Sequence, residues 1–360
     1  MTTVAWRGAA EPVPGSLMIE SVRIENFRCF REIEARNLGR FNVIVGDNRS
    51  GKTSFLEALY LTCGNTPENH MKMRYWRGLT GQTFRLSGEA VASGSLWRDL
   101  FHEYAQDRVV RVRIQGKPNR SLTISYRERK SSIPLDDSIV TAPIVFEWAD
   151  ARGKKYSSIP RIIGKELEFP NTPPGIDAAL IGSAVLAKDS ADQFSELSAR
   201  KLEGTVLKPM SDQFPEIEGL TVLSEESVGA MVYANIRGRS AKIPLPLVSA
   251  GINRWFNMIV TVASHAGGSV FIDEIDSGIY FRRLSAMWRS LNSFSKDSET
   301  QLFTSTHSRE ALAALLPVVE ANTEDFRLVR LDREQDGTPR LRVFAGDKLR
   351  GALESDFELR

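Results

Sequence analysis

The sequence predicts an α/β fold: a P-loop NTPase with a mostly parallel sheet and an inserted β-rich and helical lobe. Three observations predict it. Short apolar runs such as Phe41 to Val45, SVFIDE at 269–274 and QLFTST at 301–306 alternate with stretches of helical periodicity, the pattern of strands laid parallel by crossover helices. The octapeptide GDNRSGKT at 46–53 lies between the first of these runs and TSFLEALYLTC. From about Gly81 to Asp189 the character changes to short β-like runs separated by Gly, Pro, Asp and Lys clusters, which are turn signals.

The elements follow in chain order. MIESVRIENF from Met18 alternates apolar and polar residues, with Ile19, Val22, Ile24 and Phe27 as the expected buried set of a strand. Phe41 to Val45 is a second strand, and Phe55, Leu56, Leu59 and Leu61 fall at helical spacing after the octapeptide. VVRVRI at 109–114, SLTISY at 121–126 and PIVFEW at 143–148 are the strands of the lobe, and Ser190 to Met210 reads as one polar helix. From Leu220 the α/β pattern returns, with strands in GLTVLSE, GAMVYANI, SVFIDE and QLFTST. Helices are expected in SAGINRWFNMIVTVASHA, FRRLSAMWRSLNSF and SREALAALLPVVEA. The expected organisation is a disordered lead-in over 1–17, core over 18–80, the lobe over 81–215 and core again over 216–360.

Composition narrows the partners. The chain has 360 residues, enough for one large α/β domain with an insertion. Its 47 Lys and Arg against 45 Asp and Glu leave a net charge of +2, so any nucleic-acid contact needs a local patch. Cys29 and Cys63 form neither a metal-spaced cluster nor a disulfide framework. No apolar run is long enough to span a bilayer, and MTTVAWRGAAEPVPGS lacks the apolar centre of a secretory signal. A cytoplasmic protein with no membrane contact is expected.

The chemistry is concentrated in four short stretches. Gly46, Asp47, Asn48, Arg49, Ser50, Gly51, Lys52 and Thr53 satisfy GxxxxGK[ST] in full. Glycines let backbone N–H groups close on phosphate oxygens, and the helix that follows directs its positive end at them. Lys52 is expected on the β- and γ-phosphates and Thr53 on Mg²⁺, with Ser54 completing the first turn, so ATP and Mg²⁺ are the expected ligands. Ser269 to Glu274 is an apolar strand ending in two carboxylates, at the edge where open α/β sheets bind ligands. Asp273 is expected to hold Mg²⁺ and Glu274 to activate the attacking water. His307, closing the QLFTST strand, either hydrogen-bonds the γ-phosphate or simply sits beside the start of the next helix. Ser249, Ala250 and Gly251 precede a long helix, where Ser249 is either a phosphate contact or a plain helix cap.

In this order the motifs resemble the ABC-type ATPase heads of the RecF and SMC class. The opening IESVRIENFRCFREIEARNLGRFNVIVGDNRSGKTSFLEAL looks very like theirs. IPLPLVSAGINRWFNMIVTVASHAGGSVFIDEIDSGIY with QLFTSTHS is similar to overcoming-lysogenization-defect (OLD) type ATPases, as is the ending ALESDFELR. The resemblance covers the first seventy residues and Glu216 onward, and only loosely 80–190. It implies a homodimer closed through the ATP site, with Ser249 and Gly251 touching the γ-phosphate held by the opposite subunit and Asp276 to Gly278 at the seam. It implies that Arg28 approaches the nucleotide; it does not fix the position of a Q-loop, for which Gln82 is a candidate. The sequence departs from the pattern in reading SAGIN where ABC transporters have LSGGQ, and in carrying Tyr280 where relatives have His.

The interval between the loop and the Asp-Glu strand is too short for the long coiled coils of SMC proteins, and about fifty residues after His307 leave no room for the nuclease domain of OLD proteins. The resemblance therefore implies a switch ATPase of anti-phage defence acting with a separate effector protein. Two other functions stay open. A RecF-like repair ATPase would bind DNA through Arg111 and Arg113, which share one strand face, unless that face is only a solvated hairpin. A nucleotide-binding scaffold would show little turnover.

Overall fold

The computed structural model describes residues 18–79, 88–127, 139–163, 166–170, 172–182, 187–225, 229–334 and 337–358. The expected lead-in over 1–17 and Gln82 lie outside them. The chain forms two compact units: Met1–Leu38, Gly46–Ala178 and Arg330–Val343 make the first, and Gly39–Val45, Ala179–Val329 and Phe344–Arg360 the second. Elements are numbered along the chain across both.

The first unit contains β1 (Met18–Phe27), β2 (Phe30–Arg36), α1 (Lys52–Cys63), α2 (Glu68–Trp76), α3 (Gly88–Ala92), β4 (Val110–Lys117) and β5 (Arg120–Tyr126). It continues with β6 (Ile139–Thr141), β7 (Ile144–Ala149), β8 (Lys155–Ser158), β9 (Arg161–Ile163) and β10 (Glu166–Glu168). Six strands form an antiparallel sheet in the order β2-β1-β4-β5-β7-β8. The strands read from the sequence at 109–148 thus share a sheet with β1. Ile19, Val22, Ile24 and Phe27 are all buried, as the alternation predicts. The three-residue step from Ile19 to Val22 falls on a register shift between Ile19 and Ser21, where an extra residue moves the buried set from odd to even positions. Val110, Val112 and Ile114, then Leu122 and Ile124, line the same inner face, and α1 packs on it against β1, β4 and β5. A second, three-stranded sheet has the order β10-β9-β6.

The second unit contains β3 (Phe41–Val45), most of β11 (Ala178–Ile181), α4 (Ala187–Ala199), α5 (Gly204–Gln213), β12 (Ile217–Glu225), β13 (Gly229–Ile236), β14 (Ile243–Pro244), α6 (Leu245–Val248) and α7 (Ala250–Ser264). β15 (Ser269–Ile272), α8 (Leu284–Asp297), β16 (Gln301–Ser305), α9 (Arg309–Glu320), the start of β17 (Phe326–Arg333) and α10 (Asp347–Glu358) follow. Its sheet runs β11-β15-β16-β3-β17, and β18 (Pro339–Phe344) is the next strand after β17. The pairs β15–β16 and β16–β3 are parallel and in register. Every residue of β3, β15 and β16 is buried, the condition of strands covered on both faces. Asn42, inside β3, is satisfied locally: its Nδ2 donates to Gly39 O at 2.7 Å and Leu302 O at 3.2 Å. The core gathers Trp255, Phe256 and Trp288, with Phe41 stacked on Phe326 at 4.8 Å.

One expectation is corrected. Ser190 to Met210 is two helices, α4 and α5, because Lys201 sits at φ 59. A left-handed residue ends the first helix, and the N–H of Leu202 turns back to Leu197 O at 2.8 Å.

Candidate functional site

The octapeptide belongs to the first unit and opens α1. Gly46 has φ +144, and a Cβ there would lie 2.0 Å from Leu331 O. Gly51 has φ +105, and a Cβ there would lie 2.6 Å from the Phe30 ring and 2.8 Å from Cys29 Sγ. Both positions therefore exclude any side chain. Gly51 is also the N-cap of α1, with no side-chain cap and no acidic residue in the first turn. A helix N-terminus with this composition favours an anion. Lys52 is only 9% exposed, and its Nζ donates to Gly46 O at 2.7 Å and Asp47 O at 3.0 Å. The ammonium is thus wrapped by the loop backbone. Asp47, Asn48 and Arg49 are exposed, Ser50 and Ser54 are buried, and Thr53 is half-buried on the first turn.

Arg28 occupies the turn between β1 and β2 at φ 49. Its guanidinium is buried and ion-paired with Glu57 on α1, and Nη2 lies 3.7 Å from Asp99. Asp99 also accepts from Arg74 Nη1 at 2.8 Å and lies 3.2 Å from His70 Nε2. Burial by itself would raise the Asp99 carboxyl, but His70, Arg28 and Arg74 together hold it well below the usual carboxylate range. Burial lowers His70, outweighing the pull of Asp99.

The paired acids lie in the second unit, just past β15. Asp273 N–H donates to Ile181 O at 2.9 Å. Ser305, the last residue of β16, links both acids: its Oγ donates to Asp273 Oδ1 at 2.5 Å and accepts from Glu274 N at 2.9 Å. Glu274 is exposed and held at φ 48. Thr306 Oγ1 donates to Asp276 Oδ1 at 2.5 Å, and Thr306 N–H to Ile44 O at 3.1 Å. The C-terminal ends of β3, β15 and β16 thus form one edge. His307 is exposed on the same edge, before Ser308, whose Oγ caps α9 at Ala311 N, 3.1 Å.

Arg254, on α7, was not singled out by the sequence. It is 8% exposed. Nη1 donates to Gly182 O at 2.6 Å, and Nη2 to Asp273 O at 2.7 Å and Glu274 O at 3.3 Å. Burial lowers its pKa, while the charges of Asp273, Glu274 and Asp276 support the charged form. Two signals marked such residues: an arginine within an otherwise apolar helical run, and hydroxyls closing a buried strand next to the acid-bearing one.

Ser249 is the N-cap of α7, its Oγ accepting from Ile252 N at 3.5 Å. A Cβ on Gly251 would lie 2.5 Å from Gly278 O, so the glycine permits a backbone contact. Ser249, Gly251, Trp255, Gly278, Tyr280 and Arg283 line a cavity of about 170 Å³.

The structure brings Asp273, Glu274 and His307 to one edge of the second unit and gathers the loop with Arg28 in the first. The Arg111 and Arg113 face carries mixed charge: Arg111 lies 3.8 Å from Glu25, and Arg23, opposite Arg113, pairs with Glu25 at 3.0 Å and Glu32 at 2.7 Å. Among the described residues no group of His, Cys, Asp and Glu forms a metal cluster, and no helix is long and apolar enough to cross a membrane. Thr53, in the first unit, and Asp273, in the second, each carry a hard oxygen donor of the type that suits Mg²⁺.

Residues 18–171 match the model of the AAA ATPase domain. An ATP/GTP phosphatase of Helicobacter pylori is 21% identical over 349 residues, covering 84% of this chain and 88% of that protein. The DNA replication and repair protein RecF of Idiomarina loihiensis is 47% identical over 45 residues, covering 12% of this chain and 13% of that protein. A solved Smc head bound to the C-terminal winged-helix domain of ScpA is 14% identical, with a TM-score of 0.48 over 92% of this chain and 98% of that one. The ATPase-domain match and the phosphatase relative support ATP hydrolysis.

Proposed function

We propose that the chain is a Mg·ATP-dependent switch ATPase, and that hydrolysis is completed by a second copy. The observation that carries this reading is the loop: two obligatory glycines, an uncapped helix N-terminus and a lysine folded into the loop backbone. In the proposed reaction the loop amides and Lys52 bind the β- and γ-phosphates, and Thr53 and Asp273 hold the ion. When bound, Mg²⁺ supplies charge neutralisation on the phosphate oxygens. Glu274 takes a proton from the attacking water as its oxygen bonds to the γ-phosphorus; the bond to the β–γ bridging oxygen breaks, leaving ADP and inorganic phosphate. Ser305 keeps Asp273 and Glu274 in register, and His307 hydrogen-bonds the γ-phosphate or the water. Ser249 and Gly251 serve the nucleotide of the opposite subunit, as the resemblance to RecF, SMC and OLD heads implies.

The test is equilibrium binding of a fluorescent ATP analogue together with phosphate release. Wild type binds and turns over, whereas Lys52→Ala loses both; equal binding by the two proteins would remove the loop from the account. Turnover near zero in wild type with intact binding would leave the scaffold function instead. The OLD-like resemblance supports a setting in anti-phage defence with a separate effector. Phage plating on cells carrying the gene with its neighbours, wild type against Lys52→Ala, tests that setting; equal plating efficiencies would refute it. The DNA-repair alternative draws on the RecF likeness and is opposed by the Arg23, Glu25 and Arg111 checkerboard.

A further inference from the structure

Behind the phosphate loop the first unit buries a cluster of charges that the hydrolytic reaction does not use. Glu57 is 2% exposed and lies one helical turn beyond Thr53 on α1. It accepts from two arginines at once: Arg28, and Arg77 through Nε at 2.8 Å and Nη2 at 2.6 Å. The turn that carries Arg28 is fixed on its other side as well. Arg28 N–H donates to Leu100 O at 3.0 Å, and Arg28 O lies 2.8 Å from His102 Nδ1. The next two residues, Cys29 and Phe30, are the atoms that close off the Cβ direction of Gly51.

One turn therefore touches α1 at two places. Cys29 and Phe30 press on the backbone where the loop becomes helix, and Arg28 grips Glu57 on the turn that follows Lys52 and Thr53. The Arg28 side chain is 9% exposed against 36% for Arg77, so of the two pairs it is the one with Arg28 whose parting would leave a charge away from water. Arg28 gives Nη1 to Glu57, while Nε and Nη2 have no hydrogen-bond partner among the described residues but are shut off from solvent, Nη2 lying 3.7 Å from Asp99.

We propose that Arg28 is a positioning residue that acts on the nucleotide only through Glu57, fixing α1 so that Lys52 and Thr53 meet the phosphates. This rests on the reading of 46–53 as an ATP loop. It departs from direct contact between Arg28 and the nucleotide, which the resemblance implies.

A double-mutant cycle separates the two. Wild type, R28Q, E57Q and R28Q/E57Q are titrated with a fluorescent ATP analogue, and their melting temperatures are measured alongside. Each single change is expected to weaken binding about tenfold, and the double change no more than about tenfold, the coupling of residues in contact. R28K keeps the charge but not the fork, and recovers part of the loss. Losses that multiply to about a hundredfold, or a silent E57Q beside a weakened R28Q, would put Arg28 on the nucleotide itself and overturn the proposal. So would wild-type affinity in every variant with only the melting temperature lowered, which is the mark of a purely structural pair. If R28Q does not fold, R28K with E57D runs the same cycle. The wild-type titration is read first: no binding there removes the ATP reading itself, whereas binding with a multiplicative cycle removes this inference alone.

Discussion

At the residue scale, the account turns on a few atoms with no room for substitution. Gly46→Ala would put a Cβ 2.0 Å from Leu331 O at φ +144. ATP affinity is therefore expected to fall below detection in a fluorescence titration, while Gly153→Ala, in open space, keeps it. Retained affinity in Gly46→Ala would show that the loop can rearrange. Arg254→Met removes the guanidinium donors to Gly182 O and Asp273 O, while Glu274 O still accepts from Ser277 N at 3.0 Å. Such losses cost roughly 1–3 kcal/mol each. A chemical denaturation midpoint unchanged from wild type would contradict the role given to Arg254. The loop glycines were legible because their positions need a backbone that other residues rarely adopt, and Gly46 and Gly51 do sit at positive φ. Arg254 and Ser305 were not, because their partners are backbone groups and a strand-end acid far away in the chain, which spacing cannot reveal.

At the element scale, the buried set of β1 was legible, since Ile19, Val22, Ile24 and Phe27 are all buried, although only the step from Val22 to Ile24 keeps the two-residue pleat and the first of the longer steps falls on a bulge. Its partner was not: β1 pairs with β4 some ninety residues later, a register set by packing between segments and not by either segment alone. The helix expected over Ser190 to Met210 breaks at Lys201, a position with no glycine to announce it. The packing of α2 carries a pH dependence. His70 resists protonation in the fold, so below its ordinary value of about 6.5 the unfolded chain takes up the extra proton and stability falls. Asp99 is held low, so its contribution is complete above its ordinary value of about 3.9 and is lost below it. Both effects have the same sign. Stability is expected to decline from about pH 6.5 downward, and His70→Asn should flatten the first part of that decline. An equally steep decline between about pH 6.5 and 5 in His70→Asn would refute the assignment.

At the scale of the whole molecule, the fold class was legible because parallel strands buried on both faces, as in β3, β15 and β16, leave continuous apolar runs. The association state was not, because no periodic pattern in the chain reports an interface between copies. If two copies close on ATP, light scattering should give a dimer mass for Glu274→Gln with Mg·ATP and a monomer mass with Mg·ADP. A monomer in both conditions would leave hydrolysis to a lone chain and remove Ser249 and Gly251 from the reaction. The central claim is that Glu274 activates water for an ATP held on the loop, and its most direct test is phosphate release at saturating Mg·ATP with bound ATP measured in the same samples. The account predicts that Glu274→Gln binds ATP as wild type does and loses at least about a hundredfold in turnover, the scale of a missing general base. Turnover within about twofold of wild type in that variant would contradict it.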